Sequence, residues 1–406
     1  MLFCAASLAK NQSGTEREIV LVSASIARDK YQIATPGLLT PALAIYADFL
    51  DENIRAMLKL LGSPNHWRPH IKTAKLAFTV SRLVEHGVVN LKCATTLELL
   101  TACEAGAQDV LIAYPLIDPA VERVAEIASR FPAVQISGMV EDATQVEFWQ
   151  GKKAAGLFLD VNSGMNRTGI DSSRLDEIVK IARAVAEAGH RFRGVHYYEG
   201  NHIEPNLRKR IASAHRGYLK LLKVISALED SGILVEEVVT SGTPALPCAL
   251  AFDGFRKRRF LHRVSPGTLV YNDFTSIGQL PREYGFKLAA LVIATVVSKP
   301  TRDLVTCDAG YKSVSADAGI PTCLVHNHGR LRPAVPSEEH LPIKVTAGMA
   351  SPKRGDQLYL VPRHICPTVN NFDSALIITG GKVSGVERVT ARGHEMLPLA
   401  LGAETS

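Results

Sequence analysis

The sequence predicts a (β/α)₈ barrel of the TIM type followed by a mainly antiparallel β domain, and three observations support this prediction. Eight short apolar runs lie between residues 68 and 270, with helical patterns between most of them. Eight βα units over a segment of this length fit such a barrel. The runs are continuously apolar, as buried parallel strands are. After Asp273 helical patterns become scarce and Gly and Pro punctuate short strands, which is typical of antiparallel sheets.

We therefore divide the 406 residues into an N-terminal leader over 1–35, a barrel over 36–275 and a β domain over 276–406. The leader contains one strand-like run at 19–22, and we expect the leader to pack on the β domain. A doubly wound parallel sheet is the alternative fold for the first part. It is disfavoured because no GxGxxG follows the first strand.

Composition and charge exclude several function classes. Apolar residues make up 46% and charged residues 21%, as in ordinary globular proteins. The basic clusters at 208–210 and 256–259 lack interleaved aromatic residues, so we expect no nucleic-acid partner. The apolar run within the first ten residues is too short to span a membrane, and no membrane association is expected. Seven scattered cysteines without CxxC spacing indicate reduced thiols and a cytoplasmic enzyme.

The elements follow in order along the chain. A first strand at 42–46 precedes an amphipathic helix. The lysine segment at 68–75 opens the barrel series. The later barrel strands are predicted at 90–94, 110–114, 135–140, 157–161, 194–198, 235–240 and 262–270. The β-domain strands are predicted at 292–297, 304–307, 322–325, 343–345, 357–361 and 375–379.

Polar residues stand at the carboxyl ends of the predicted barrel strands, where barrel enzymes build their active sites. They are Lys72, Thr95, Tyr114, Asn162, Tyr198, Ser241 and Gly267. A lysine in this position, here within the segment RPHIKTAK, can form a Schiff base with pyridoxal phosphate (PLP). Lys75, one helical turn away, is the competing lysine.

Two glycine-containing turns follow the last two barrel strands, at 241–244 and 266–268. Their backbone N–H groups and hydroxyls suit a phosphate, and this is the common phosphate site of the fold. Arg167 leaves another strand end in the loop MNRTG, where its donor fork can face a ring nitrogen or a carboxylate. A loop arginine paired with a nearby acid is the alternative interpretation.

The β domain holds a second chemical pattern, His364-Ile365-Cys366. On an extended chain, residues two apart point to the same side. Imidazole and thiolate are both zinc ligands, so the pair predicts a metal site completed by water, substrate or a third group. The segment 337–340 (SEEH) offers further ligands or groups that orient ligands, or is a solvated turn.

These motifs, taken in this order, resemble the D-threonine aldolase / D-serine dehydratase family of PLP enzymes with the alanine-racemase fold. The matching segments are RPHIKTAK, MNRTG, YEG, SGTP, PGTLVYND and the late PRHICPTVN, and the resemblance covers residues 40–392. It implies a PLP- and divalent-metal-dependent lyase acting on D-3-hydroxy amino acids, with zinc or manganese as the metal, in a homodimer.

The resemblance also implies roles for individual residues. Lys72 would carry PLP, Arg167 would lie near the pyridine nitrogen, and Tyr198 would line the substrate side of the ring. His364 and Cys366 would hold the metal. The phosphate would lie against Ser241, Gly242, Thr243, Gly267, Thr268 and Tyr271.

Two departures from the family pattern concern the catalytic details. Ala74 stands where many members have histidine, and Asn201 stands where histidine is expected. His202 then becomes the candidate for proton transfer. Aldolase cleavage to glycine and an aldehyde is the favoured activity. D-serine, D-threonine or D-3-hydroxyaspartate dehydration is the main alternative, followed by racemization, which would need Tyr311 or Tyr359 as a second base, and by non-catalytic PLP binding.

Overall fold

A computed structural model describes residues 30–33, 37–256, 258–348 and 350–396 of the chain. The strand predicted at 19–22 and most of the leader lie outside the described residues. Of the leader, residues 30–33 contact the β domain, since the backbone N–H of Ile33 donates to the hydroxyl of Tyr359 at 3.0 Å. Among the described residues, no helix combines the length and apolar character needed to cross a membrane.

The barrel is built from parallel strands in the order β2–β3–β4–β5–β7–β8–β9. A two-residue strand, β6, pairs with the end of β5. The strands are β2 (Asn90–Cys93), β3 (Asp109–Ile112), β4 (Gln135–Val140), β5 (Gly156–Asn162), β6 (Ile170–Asp171), β7 (Phe192–Tyr197), β8 (Glu237–Thr240) and β9 (Leu261–Val264).

The lysine segment takes the first of the barrel's eight strand positions in chain order, and we call it the first stave. Trp67 bridges Val264 of β9, and His70 bridges Lys92 of β2, both in parallel. The segment therefore joins the two edges of the sheet and closes it, which confirms the predicted eight-stranded barrel. The run predicted as a strand at 262–270 ends at Val264, because a 3₁₀ turn occupies Thr268–Val270 after Gly267.

Helices connect the strands and cover the barrel. Within the described residues they are α1 (Ala47–Leu61), α2 (Ala77–Glu85), α3 (Thr96–Glu104), α4 (Ala120–Arg130), α5 (Ala143–Trp149), α6 (Leu175–Glu187), α7 (Leu207–Asp230), α8 (Leu246–Leu250), α9 (Phe274–Gln279) and α10 (Ile365–Val369). In the long helix α7, Tyr218, Leu221, Val224 and Leu228 are fully buried. Their i, i+3, i+6 and i+10 spacing forms the apolar stripe that holds the helix on the barrel.

The second sheet is mainly antiparallel, as predicted. It contains β1 (Ala42–Tyr46), β10 (Ala290–Thr301), β11 (Leu304–Cys307), β12 (Cys323–Val325), β13 (Leu331–Pro333), β14 (Leu341–Val345), β15 (Gln357–Pro362), β16 (Ser374–Thr379) and β17 (Lys382–Arg388). Although β1 precedes the barrel in the chain, it lies between β10 and β16 of this sheet. The strands that precede and follow the barrel in the described part of the chain therefore belong to one sheet.

Candidate active site

Lys72 lies at the carboxyl end of the first stave, and the structure separates it from the competing lysine. Its backbone N–H donates to Nδ1 of His70 at 3.2 Å. Lys75 is buried, its ammonium 2.9 Å from Glu98 and 2.9 Å from the carbonyl of Ala391. Because Lys75 is held in this ion pair, Lys72 is the lysine available at the barrel mouth.

Two cations approach the Tyr198 ring at the same end of the barrel. The guanidinium of Arg167 is 5.0 Å from the ring centroid and the ammonium of Lys92 is 5.4 Å from it. The hydroxyl of Ser163 donates to the Tyr198 carbonyl at 2.6 Å, which ties the MNRTG loop to the end of β7. The structure therefore brings together Arg167, Tyr198 and, through Lys92, the Lys72 region.

The first glycine turn is fixed by a buried acid that the sequence reasoning did not single out. The Glu199 carboxylate accepts hydrogen bonds from the backbone N–H of Ser241 at 3.0 Å and from its hydroxyl at 3.3 Å. It also accepts from the hydroxyl of Tyr218. Ser241 has a φ of 68°, a left-handed conformation that these contacts hold in place. Burial raises the pKa of Glu199 above its ordinary value, although its hydrogen bonds oppose that effect.

The two turns supply the donors that a phosphate requires. A 3₁₀ turn begins directly after each glycine, at Thr243 and at Thr268. Among the described residues, the backbone N–H groups of Gly242, Thr243, Gly267 and Thr268 donate to no protein acceptor. Gly242 is also so close to Tyr198 that a Cβ would come within 2.9 Å of the ring. These residues therefore fit a phosphate next to an aromatic ring.

Two of the residues predicted at the site have other contacts. The Tyr271 hydroxyl is buried between Thr79 at 2.6 Å and the carbonyl of Ala74 at 3.2 Å. His202 lines a cleft of about 810 Å³ on the side of helix α7. Burial first, and then Arg216 and Arg210, lower the pKa of His202. Roles for Tyr271 in phosphate binding and for His202 in proton transfer stay predictions.

His364 and Cys366 meet at the site, but not on an extended chain as the sequence suggested. His364 is extended and Cys366 lies in the first turn of α10. The two side chains nevertheless interact electrostatically. Burial alone would lower the pKa of His364, but Cys366 and Asp317 outweigh it and raise the pKa to about 9. For Cys366, burial is outweighed by His364, Lys72 and Thr73, and the thiol pKa is lowered.

This pair connects the β domain to the lysine segment. The Sγ of Cys366 is 2.9 Å from the hydroxyl of Thr73, next to Lys72. Nδ1 of His364 is 2.6 Å from Asp317, which leaves its Nε2 for a metal. Among the described residues, no group of three or more His, Cys, Asp or Glu is arranged to hold a metal. The donor set therefore fits a metal only if water or substrate completes its shell.

The structure also reveals polar residues inside the barrel that the sequence reasoning missed. Lys92, Asp160 and His196 occupy inward positions of strands β2, β5 and β7 and are almost completely buried. The available signal was a charged or polar residue within an otherwise apolar strand, which is costly unless it is paired.

Comparisons with known proteins follow the same division of the chain. Residues 45–273, more than half of the 406, match the family model described as "Alanine racemase, N-terminal domain". The chain belongs to this family. Residues 289–378 match the model described as "Putative serine dehydratase domain".

Relatives of this alanine racemase-like chain include named enzymes. A D-threonine aldolase of Arthrobacter sp is 26% identical over 363 residues, covering 87% of this chain and 93% of that protein. A 3-hydroxy-D-aspartate aldolase of Paracoccus denitrificans (strain Pd 1222) is 27% identical over 386 residues, covering 89% and 95%. Both relatives are lyases by name.

Solved structures agree on the fold. The D-threonine aldolase from Filomicrobium marinum superposes with a TM-score of 0.81 at 27% identity, covering 90% of this chain and 99% of that one. The D-threo-3-hydroxyaspartate dehydratase from Delftia sp. HT23 superposes with a TM-score of 0.75 at 21% identity, covering 89% and 99%. The predicted alanine-racemase-like architecture is thereby confirmed, and PLP is the cofactor expected for such enzymes.

Proposed function

We propose that the protein is a PLP- and divalent-metal-dependent lyase that cleaves the Cα–Cβ bond of a D-3-hydroxy amino acid, giving glycine and an aldehyde. The observation that carries the proposal is the contact between Cys366 and Thr73. Because Thr73 is the neighbour of Lys72 in the chain, this contact supports a metal site at His364 and Cys366 next to a Schiff-base lysine. The similarity to a D-threonine aldolase and a 3-hydroxy-D-aspartate aldolase over most of the chain supports the same substrate class.

PLP, bound at Lys72, would supply an electron sink at the amino acid. Arg167 would orient the ring from the side of the MNRTG loop, and Tyr198 would cover one face of it. The phosphate would accept hydrogen bonds from the turns after β8 and β9, namely from Ser241, Gly242, Thr243, Gly267, Thr268 and, by our prediction, Tyr271.

The metal, held by His364 and Cys366, would act as a Lewis acid on the β-hydroxyl of the substrate. Asp317 would orient His364 through Nδ1, as carboxylates do for metal-bound histidines. Thr73 and Thr268 would stabilise the thiolate, since their hydroxyls lie 2.9 and 3.6 Å from Sγ. Zinc suits this imidazole and thiolate pair, and manganese is the second choice.

Dehydration to a 2-oxo acid and ammonia is the second candidate function. Cys366 as a metal ligand favours it, because we expect a cysteine ligand more often in the dehydratase branch of the family. The match of residues 289–378 to a serine dehydratase model points the same way. The two reactions use the same residues and differ in whether the Cα–Cβ bond or the Cα–H and Cβ–O bonds break.

Racemization is disfavoured by the tyrosines of the β domain. It needs a second base opposite the lysine, and we named Tyr311 and Tyr359. The Tyr359 hydroxyl is buried and bonded to the backbone of Ile33. Tyr311 is exposed and hydrogen-bonded to Glu338. Racemization would survive EDTA, whereas the proposed lyase would not.

The test is product analysis with D-threonine and D-serine, with and without EDTA, followed by readdition of zinc or manganese. We expect glycine and acetaldehyde from D-threonine, loss of activity in EDTA and recovery with metal. Pyruvate or 2-oxobutyrate would instead establish the dehydratase. If no D-3-hydroxy amino acid is consumed by the PLP- and metal-loaded protein, the proposal is wrong.

The companion variant is Lys72→Ala, for which we expect activity to fall on the order of 10³-fold and the Schiff-base absorbance of bound PLP to disappear. Lys59→Met, which changes an exposed lysine on α1, is the matched control and should leave both the activity and the absorbance unchanged.

We further propose a cytoplasmic homodimer. The six described cysteines are all free, in keeping with a reducing compartment.

A further inference from the structure

Three buried polar side chains form a chain beneath the barrel mouth. Lys92, Asp160 and His196 are 2%, 3% and 4% exposed. The Lys92 Nζ is 3.3 Å from Nε2 of His196, and Nδ1 of His196 is 2.7 Å from Oδ1 of Asp160. The three residues come from β2, β5 and β7, so the fold itself brings them together.

The hydrogen bonds fix which nitrogen of His196 carries the proton. Burial first, and then Lys92, lower the pKa of His196, which favours the neutral ring although Asp160 opposes this. Burial would raise the pKa of Asp160, but the hydrogen bonds from His196 and Thr168 outweigh it and lower the pKa. Asp160 is thus a carboxylate that accepts the Nδ1–H of His196. Nε2 is left to accept a hydrogen bond from Lys92.

Charged groups from four parts of the chain shift the pKa of Lys92. Lys72 on the first stave and Arg167 on the loop after β5 oppose its positive charge. Glu199 after β7 and Asp160 on β5 favour it. His70, bridged to Lys92 in the barrel, has a strongly lowered pKa through burial and then Lys72 and Lys92. Burial and Lys72 are the leading causes that lower the pKa of Lys92 to about 7.

The position of the Lys92 amine indicates a role in proton transfer rather than in packing. Its ammonium lies 5.4 Å from the centroid of the Tyr198 ring, which Arg167 approaches at 5.0 Å. A barrel interior is normally filled with branched apolar side chains, and burying a lysine there is costly. A group that titrates near neutral pH is suited to give and take protons.

We propose that Lys92 is a second proton-carrying amine of the active site, beside Lys72, and that His196 and Asp160 position it. The inference rests on the proposed function, since the proton would pass between Nζ of Lys92 and the bound amino acid. When Lys92 donates, one of its N–H bonds breaks and the proton bonds to the substrate. The β-hydroxyl of the substrate loses one proton as the aldehyde forms, and the neutral amine regains one proton through the solvent, so the protons balance and the enzyme is unchanged after the cycle.

The direct test follows the titration of Lys92 in the PLP-loaded protein by NMR of ¹³Cε-labelled lysines. Lys92→Met identifies the resonance by its disappearance. We expect a midpoint of about 7, compared with about 10.4 for an ordinary lysine. Asp160→Asn should lower the midpoint further, because it removes a negative charge that favours the ammonium. A midpoint above about 9, or no response to Asp160→Asn, would overturn the proposal.

The second readout is the pH profile of D-threonine cleavage. Lys92→Met should lower kcat about 100-fold with little change in KM and remove the limb of the profile between about pH 6 and 8. Lys92→Arg keeps the positive charge, so the variant should fold. Because a guanidinium does not titrate near neutral pH, this variant should show the same loss of kcat as Lys92→Met. Lys59→Met, an exposed lysine on α1, should behave as wild type.

The two readouts separate this inference from the proposed function. A wild-type protein that cleaves no D-3-hydroxy amino acid contradicts the proposed function, while the NMR titration still decides whether Lys92 carries a proton near neutral pH. A Lys92→Arg enzyme with wild-type kcat and pH profile would show that Lys92 is structural and would overturn the inference.

Discussion

The two ends of the barrel both hold clusters of charged residues, but they differ in whether the cations have carboxylate partners. At the amino end, Arg68, Arg193 and Arg263 surround Asp109 and Glu237; we call these five residues the floor cluster. Arg68 contacts Asp109 at 2.9 Å and Glu237 at 2.6 Å, and Arg193 contacts Asp109 at 2.8 Å. Arg263 pairs with Glu237. Each cation of the floor cluster therefore touches a carboxylate.

At the carboxyl end, Lys72, Lys92 and Arg167 are the mouth cations. Within the described part of the chain, no carboxylate lies within salt-bridge distance of these three. The nearby Glu199 is occupied by Ser241 and Tyr218. Removing one member of a buried ion pair is strongly destabilising. A buried cation without a carboxylate partner, such as Lys92, destabilises the protein without its ligand, and the mouth cations together attract anionic groups. The comparison thus assigns structure to the floor and binding of a phosphate or carboxylate to the mouth.

The largest expected effect comes from opening the floor cluster. Arg68→Met leaves Asp109 and Glu237 without their shared partner, and we expect a loss of about 3–5 kcal/mol in the free energy of unfolding. Urea denaturation followed by tryptophan fluorescence measures it. Arg82→Met is the matched control: Arg82 pairs with Asp51 but its side chain is 32% exposed, so we expect a loss of at most about 1 kcal/mol. Equal losses in both variants would contradict the assignment.

The floor cluster also predicts how stability depends on acid. Burial would raise the pKa of Asp109, but Arg68 and Arg193 outweigh it and hold the pKa well below its ordinary value. A carboxyl with a lowered folded pKa stabilises the protein above its unfolded pKa and loses that contribution as the pH falls. Wild type should therefore lose about 2 kcal/mol between about pH 5 and 2 through this group.

Asp109→Asn tests this pH dependence. The variant should start less stable at neutral pH, because Arg68 and Arg193 lose a partner, and then lose less on acidification. Urea unfolding at several pH values measures both slopes. If wild type and variant lose the same stability on acidification, Asp109 does not carry the effect.

The sequence predicted the barrel well because its signals are local and repeated. Apolar runs and their polar ends located β4 at 135–140 as observed, and they located the lysine segment as the first stave. The pairing of β1 with β10 and β16 was not predictable, since a short apolar strand carries no information about its distant partners. His364 and Cys366 were predicted to point to the same side of an extended chain, whereas Cys366 lies in the first turn of a helix.

Site residues were predictable from the sequence where each one lies at a strand end, and they were not predictable where the site depends on contacts between distant strands. Lys72 and the glycine turns lie at strand ends and follow the positional rule of the barrel. Lys92 is 104 residues from His196 and Asp160 is 36 residues from it, and only the barrel brings the three side chains into contact. A polar residue inside an apolar strand predicts a buried hydrogen bond or ion pair, but the sequence does not indicate which residue is the partner.

The smallest expected effect is a gain in the free energy of unfolding, and it comes from a substitution at the mouth. The pKa of Lys92 is lowered to about 7. A lysine with a lowered folded pKa destabilises the protein fully below that pKa, and the destabilisation fades as the pH rises towards the unfolded value. Lys92→Met should therefore increase the free energy of unfolding by about 1–2 kcal/mol at about pH 6 and by less at about pH 9. Urea unfolding at both pH values measures it. A loss of stability like that of Arg68→Met would mean that the mouth is held by its charges as the floor is.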